Sequence, residues 1–355
     1  MTNSPDISFI MPVHNSSATL ERTLKSVFSQ SLQNLECIAV NDASTDESPE
    51  ILNRWEQQEP RLKVIHLKQN AGTLIARKRA AEQSRGKYIL SIDPDDEFEH
   101  DGAEKLLSLA EKFHADIVHF DLKEYQLMPD KTEKRVWNWC PARHGFLKGP
   151  GSAARDLLVT HGHHWSLCLK LIRGDLFRSV LPDIEDFHCI MCEDLYMDLA
   201  IELKAESILK SSLSPYIYHT GSTGITTDGK RSLASFRNLL SALKALDLCM
   251  KMLPSELQSV FFEVKKNQCR ILLTRAQKEL DPCDTETAMR ELRQSPYCTN
   301  AMAAAEKMPL LLSANGENFL LGHPLLRTCI AAILPYGSRR RLFFKTLVKR
   351  LLKRN

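Results

Sequence analysis

Residues 88–98 read YILSIDPDDEF, a short apolar run that ends without a spacer in a cluster of acids. A continuous apolar run of this length, closed by breaker residues, suits a strand buried on both faces. Asp93, Asp95 and Asp96 then fall together at one strand end, and Pro94 stiffens the turn between them. Carboxylates bunched this closely repel one another. A hard divalent cation (Mg2+ or Mn2+), which takes carboxylate and phosphate oxygens, would offset that repulsion. The same acids also suit a helix start, with Asp96 or Asp101 capping a helix over 102–113. Taken alone, the motif leaves both readings open.

Upstream of it the chain alternates. An apolar run over 7–13 precedes a segment, 18–29, whose Leu20, Leu24, Val27 and Phe28 have helical spacing. A second run, 35–40, is broken by Asn41-Asp42-Ala43-Ser44, and Asp46 can cap a helix over 47–56 with Ile51, Leu52 and Trp55 on one face. A third strand over 64–67 and a helix over 72–84 lead to the strand at 88–92. Helix 102–113 and strand 117–120 follow. This rhythm predicts an α/β fold, a mostly parallel sheet flanked by helices, with ligands beyond the carboxyl ends of the strands. Asn15, Asp42 and Asp93 each follow a strand, and that shared position points to a single site.

Farther along, 129–165 loses the rhythm and is rich in Trp, Pro, Gly and His, an elaborated loop region with one helix near 152–160. A helix over 193–203 begins with an acidic pair, and beyond Arg231 the pattern is almost wholly helical, over 233–252, 255–280 and 284–293. The expected organisation is an α/β domain over 1–227, divided near 125. A helical region over 228–335 and a basic amphipathic tail over 336–355 complete it.

The chain has 355 residues, 43% hydrophobic and 26% charged, enough for a sizeable core and two domains. Eight Lys or Arg and no acid lie in 336–355, so the net +3 of the whole chain leaves residues 1–335 at −5. A nucleic-acid-binding field over the whole protein is therefore not expected. The ten cysteines show no zinc-finger pairing. Cys189 and Cys192 form one C-x-x-C, better read as reduced, buried thiols than as a redox pair. No signal-type segment and no apolar stretch of the roughly 18 residues a span requires is evident, so a cytoplasmic protein is expected.

Four motifs in order, PVHN after the first strand, NDASTDES after the second, NAGTLIARKRA after the third and SIDPDDEF after the fourth, resemble the family 2 glycosyltransferases with the GT-A fold. The resemblance covers about 7–227 and departs at Arg77-Lys78-Arg79-Ala80, where the family usually shows Arg-Asn-x-Gly. It implies an inverting enzyme that moves a sugar from a nucleotide-sugar donor, expected to be a UDP-sugar, to a hydroxyl of a glycan or lipid-linked acceptor. In that reading Asp42 accepts from the nucleobase, Pro12 and Asn15 wall the nucleoside, and Arg77, after Asn70 and Gly72, faces the nucleotide or diphosphate. Asp93 contacts ribose or a metal-bound water, and Asp95 ligates Mn2+ or Mg2+. In HCIMCEDLYMDLA, Asp194 matches the catalytic base and Glu193 the residue before it; Asp198 and Asp186 are weaker candidates. Trp165 would stack on a sugar face, or sit in the core, while His219 would bind metal or phosphate.

Each assignment has a plainer alternative: an Asx-turn for Asp42, a surface ion pair for Arg77, an ordinary helix start for Glu193 and Asp194. The tail, with Phe343, Phe344, Leu347 and Leu351 among its basic residues, suits either the cytoplasmic face of a membrane or docking on protein. Two other functional classes fit the residues less well. Nucleotidyl transfer would want a Gly-rich basic loop where PVHNSSATL stands, and an idle scaffold has no need of Asp42, Asp93, Asp95 and Asp194 together.

Overall fold

The computed structural model describes residues 4–127, 133–137, 144–160, 162–220, 232–297 and 299–306. The tail therefore lies outside the described residues. By internal contacts the chain divides into two compact units, Met1–Gly229 and Lys230–Asn355.

The first unit begins β1 (Ile7–Val13), α1 (Leu20–Phe28), β2 (Leu35–Asn41), α2 (Ser48–Gln58), β3 (Leu62–His66), α3 (Thr73–Gln83) and β4 (Tyr88–Ser91). The short β5 (Glu97–Phe98), α4 (Gly102–Phe113), β6 (Ile117–His119), β7 (Leu122–Leu127), β8 (Glu133–Trp137) and β9 (Gly145–Lys148) follow. Then come α5 (Ser152–Arg155), a π-helical turn over Asp156–Thr160, β10 (Lys170–Arg173), α6 (Gly174–Val180), α7 (Glu193–Lys204), β11 (Ser207–Lys210) and β12 (Tyr216–Thr220).

Eight strands form one sheet in the order β3-β2-β1-β4-β10-β6-β11-β9. β1 and β2 are buried throughout, which is why they read as nearly continuous apolar runs; their interior polar residues, Ser8 and Glu36, are buried and bonded to each other (2.6 Å). Ile7, Phe9, Met11 and Val13 of β1 point to one core, onto which Leu20, Leu24 and Val27 of α1 pack. β4 pairs with β1 in parallel on the side away from β2, so the strand order reverses between β1 and β4. That reversal opens a crevice at the carboxyl ends of the strands. Beyond β4 the sheet differs from an all-parallel one: β10, arriving late in the chain, inserts antiparallel between β4 and β6.

A second sheet, β5-β12-β7-β8, was not evident in the sequence. Its strands are short or fall in the region read as loop, where hydrophobic periodicity has too few residues to register. Phe98 of β5 joins the two sheets by edge-to-face contacts with Phe9, Phe120 and Tyr216.

The second unit holds α8 (Leu233–Met252), α9 (Ser255–Lys278), α10 (Pro282–Gln294) and α11 (Thr299–Glu306), packed on Phe236, Leu243, Leu272, Leu273 and Met302. Among the described residues no helix is long and apolar enough to cross a membrane.

Candidate functional site

The loops after β1, β2, β3 and β4 meet at the strand-order reversal. Asn15 and Ala43 take positive φ, both near 51°, a left-handed backbone that is unusual for Ala. The two turns are laced together: the Asn15 N–H donates to Ser44 Oγ (3.0 Å) and the Thr45 N–H to Asn15 Oδ1 (2.8 Å). Pro12 is buried in β1, opposite Val40.

Asp42 is buried and accepts two backbone hydrogen bonds, from Ala71 N–H to Oδ1 (2.6 Å) and from Gly72 N–H to Oδ2 (2.9 Å). The side-chain bond that closes the turn at this strand end is made by Asn41, whose Oδ1 accepts from Ser44 N–H three residues on (3.1 Å). Asp42 therefore shapes the turn after β3. Each of its oxygens keeps a second lone pair for a further donor. Asn70 completes an arc at the surface: its Nδ2 meets the His14 ring at 3.2 Å and its Oδ1 meets His188 Nε2 at 3.1 Å.

Gly72 has φ +88°, and a Cβ there would lie 2.8 Å from the backbone N and O of Cys189. The turn after β3 is thus pressed against the segment that leads into α7. Gly72→Ala is expected to lower stability by about 1–3 kcal/mol, the usual cost of a strained backbone site, and thermal unfolding would reveal it. An unchanged Tm would mean the two segments separate at no cost.

Arg77, on α3, joins the acidic groups of the site. Its side chain is 3% exposed; Nη2 donates to Asp93 Oδ1 (2.7 Å), and Nη1 to Glu193 Oε1 (2.9 Å) and Asp194 Oδ1. This is not the surface ion pair considered as the plain alternative. One guanidinium bridges the acidic turn after β4 and the first turn of α7. Burial opposes its charge, but Asp194 and Asp93 outweigh that and raise its pKa well above the ordinary value.

Three carboxylates around one cation leave a local excess of negative charge. Burial and then the Asp194 charge push Glu193 up to about 7, against the pull of Arg77. Burial, then the Asp93 charge, also raises Asp194 against the pull of Arg77. Ser166, before β10, donates to Asp194 Oδ2 (3.3 Å). Both acids stand in the first turn of α7, near the positive end of the helix dipole.

Asp96 does not cap α4, and Asp101, at the cap position, makes no side-chain cap bond either. The Asp96 carboxylate is instead buried, accepting from Tyr216 Oη (2.6 Å) and from the His219 N–H (3.0 Å), so it fastens β12 to the acidic turn. Burial, reinforced by Asp95 and Asp93, raises its pKa well above the ordinary range. Sequence reading missed this role because its partners lie about 120 residues away. Asp95 is half-buried beside it, and its carbonyl accepts from Arg22 (2.7 Å).

His219 Nε2 meets Glu97 Oε1 at 2.8 Å, one strand from the acidic turn. Trp165 is half-buried and stacks on His164 with ring centroids 5.2 Å apart. The two weaker base candidates are engaged elsewhere. Asp198 is fully buried on Lys170, and Asp186 pairs with Lys78 and Arg79. Those pairs also account for Lys78 and Arg79 in the variant motif: they hold the segment ahead of α7 against α3.

Among the described residues, no three His, Cys, Asp or Glu side chains form a metal-binding group by themselves. Asp93 and Asp95 still fit a cation that takes only one or two carboxylates and completes its shell with donor phosphate oxygens and water, as Mg2+ commonly does.

Three comparisons bear on the chain. The model of Glycosyl transferase family 2 matches residues 8–180. The putative teichuronic acid biosynthesis glycosyltransferase TuaG of Bacillus subtilis is 39% identical over 108 residues, 30% of this chain and 43% of that one. The uncharacterized glycosyltransferase EpsJ of the same organism is 34% identical over 227 residues, 62% of this chain and 63% of that one. The chain thus spans less than two thirds of either relative's length. S. aureus TarS 1-349, solved in complex with UDP-GlcNAc, superposes with a TM-score of 0.54 at 16% identity, over 81% of this chain and 92% of that one. At that identity what is shared is the fold.

Proposed function

We propose, for a chain whose residues 8–180 belong to Glycosyl transferase family 2, that it is an inverting, metal-dependent glycosyltransferase using a UDP-sugar. One observation carries this reading: Arg77 ties the acidic turn Asp93–Asp95 to the Glu193–Asp194 pair, two groups from opposite halves of the first unit. Inverting transfer needs those two groups side by side, a donor-phosphate locus and a carboxylate facing it.

In this reading the nucleoside lies against Pro12, Asn15, Asp42, Asn70 and Gly72, the loops laced together at the strand-order reversal. Asp95, with Asp93, would hold Mn2+ or Mg2+, and His219 would stand near the diphosphate. When bound, the cation supplies charge neutralisation for the leaving diphosphate. Asp194 takes the acceptor hydroxyl proton. The freed oxygen forms a bond to the anomeric carbon as the bond from that carbon to the diphosphate oxygen breaks, inverting the configuration. Arg77 keeps Asp194 charged and aimed, and Trp165 presents an apolar ring to the sugar. TuaG takes its name from teichuronic acid biosynthesis, which supports a glycan acceptor; in this reading that acceptor belongs to a cell-surface polysaccharide or a lipid-linked precursor, handled at the cytoplasmic side of a membrane.

The test is a thermal-shift panel of UDP-glucose, UDP-galactose and UDP-GlcNAc, each with Mn2+. At saturation near a hundredfold Kd, about 2.7 kcal/mol of stabilisation is expected, or several degrees in Tm for a unit of this size. Asp95→Ala or EDTA should remove most of the shift. Stabilisation indifferent to both would sink the metal assignment while leaving nucleotide binding intact.

A further inference from the structure

Away from the site, β10, α7 and the π-helical turn enclose a second set of charges. Lys170, the first residue of β10, is fully buried, and its ammonium donates to Asp198 Oδ2 and to Glu202 Oε1 (2.7 Å). Both acids lie on α7 and are themselves fully buried. Glu202 Oε1 also meets His163 Nε2 (2.6 Å), whose Nδ1 meets Asp156 Oδ2 (2.9 Å), and that oxygen accepts from Lys210 (2.8 Å).

Stability alone does not explain this cluster. Buried ion pairs are commonly no better than apolar residues of the same volume. Here Asp198 Oδ1 and Glu202 Oε2 have no hydrogen-bond partner among the described residues, which adds a desolvation cost.

The spacing suggests a use. Residues 194, 198 and 202 recur every four positions and so share one face of α7. The first is held by Arg77, the next two by Lys170. β10 pairs directly with β4, whose end carries Asp93. The start of α7 has no cap bond of its own, Cys192 at the cap having φ 64°, and is held through the side chains of Glu193 and Asp194.

We propose that Lys170, through Asp198 and Glu202, is the positioning residue that fixes the height and rotation of α7 against the sheet, and with them the reach of Asp194. This rests on the reading of Asp194 as the base. It adds that the rate of transfer depends on a charge cluster that touches neither donor nor acceptor.

Asp198→Ala removes one tether, while Asp198→Asn keeps an acceptor for Lys170 in the same place. UDP release would be followed with the best-binding UDP-sugar of the panel, and hydrogen exchange at the α7 amides of 194–197 compared with that of α4. In Asp198→Ala, kcat should fall at least tenfold with the donor KM within twofold, and exchange at 194–197 should quicken at least tenfold with α4 unchanged. Asp198→Asn should restore both to within threefold of wild type.

If Asp198→Ala does not fold, Lys170→Met/Asp198→Leu/Glu202→Gln, a charge-free replacement, should fold and show the same loss of kcat with KM retained. Wild-type kcat and exchange in whichever of these variants folds would overturn the proposal. Because exchange needs no turnover, an Asp194→Asn variant that kept full activity would remove the base assignment without deciding the role of Lys170.

Discussion

Asp194→Asn is expected to lower the rate of sugar transfer by about 10²–10⁴-fold, the usual worth of a positioned general base, with donor affinity almost unchanged. Asn has the shape to keep its contacts with Arg77 and Ser166, but its amide cannot take the acceptor proton. Donor affinity is the control, because Asp194 lies across Arg77 from the acidic turn and does not belong to the nucleoside-binding loops.

The pH profile sharpens the same experiment. Burial raises both acids, reinforced by the Asp194 charge at Glu193, which is pushed up to about 7, and by the Asp93 charge at Asp194. A base must be deprotonated to act, so the rate should begin to fall while the pH is still above the ordinary carboxylate range, as Asp194 takes up its proton. Glu193→Gln removes half of the pair and should move that acid limb downward. The sign for stability is opposite to that of a salt-bridged acid. A carboxylate raised in the folded state binds its proton more tightly there, so its contribution to stability is lost as pH rises through the raised value. Glu193→Gln should therefore raise Tm at pH 8 and change it little at pH 4. A profile with its acid limb at pH 4 would show that these two groups do not govern the rate.

Arg77→Met is expected to be the most destabilising single change in the site. Removing one partner of a buried ion pair commonly costs about 3–5 kcal/mol because it leaves an uncompensated buried charge. Here it leaves Glu193 and Asp194 facing each other with Asp93 nearby. For a unit of this size that corresponds to a fall in Tm of roughly 10 °C or more. The loss should shrink at low pH, where protonation relieves the repulsion. Mn2+ with a UDP-sugar should recover part of it by drawing Asp93 away from the pair. Arg77→Lys should fall between, since an ammonium lacks the planar fork that reaches three carboxylates at once. A Tm within two degrees of wild type at neutral pH, with transfer retained, would refute the central place given to Arg77.

Much of the fold was legible in the sequence. Ile7–Val13 and Tyr88–Ser91 announced themselves as buried strands because a strand covered on both faces is almost wholly apolar, without an alternating polar face. Leu20, Leu24 and Val27 likewise marked the buried stripe of α1. From these alone the strand ends, and so Asn15, Asp42 and Asp93, could be assigned to one crevice. Local periodicity reports local burial, and such features are local.

The charge arrangement was decided otherwise. Arg77 and Glu193 are 116 positions apart, and Asp96 meets Tyr216 across 120. Nothing in either neighbourhood distinguishes a hub from a surface ion pair, or a buried clamp from a helix cap. Tertiary packing brings the acidic turn after β4 and the first turn of α7 onto one guanidinium, and only that packing turns separate acids into one constellation. The sequence by itself determined the α/β alternation and the acids at the strand ends, since both follow from the burial of short segments. Which acids share a cation, which are buried and which stay open to a ligand depended on tertiary structure, because charge interactions are set by distance and desolvation in space.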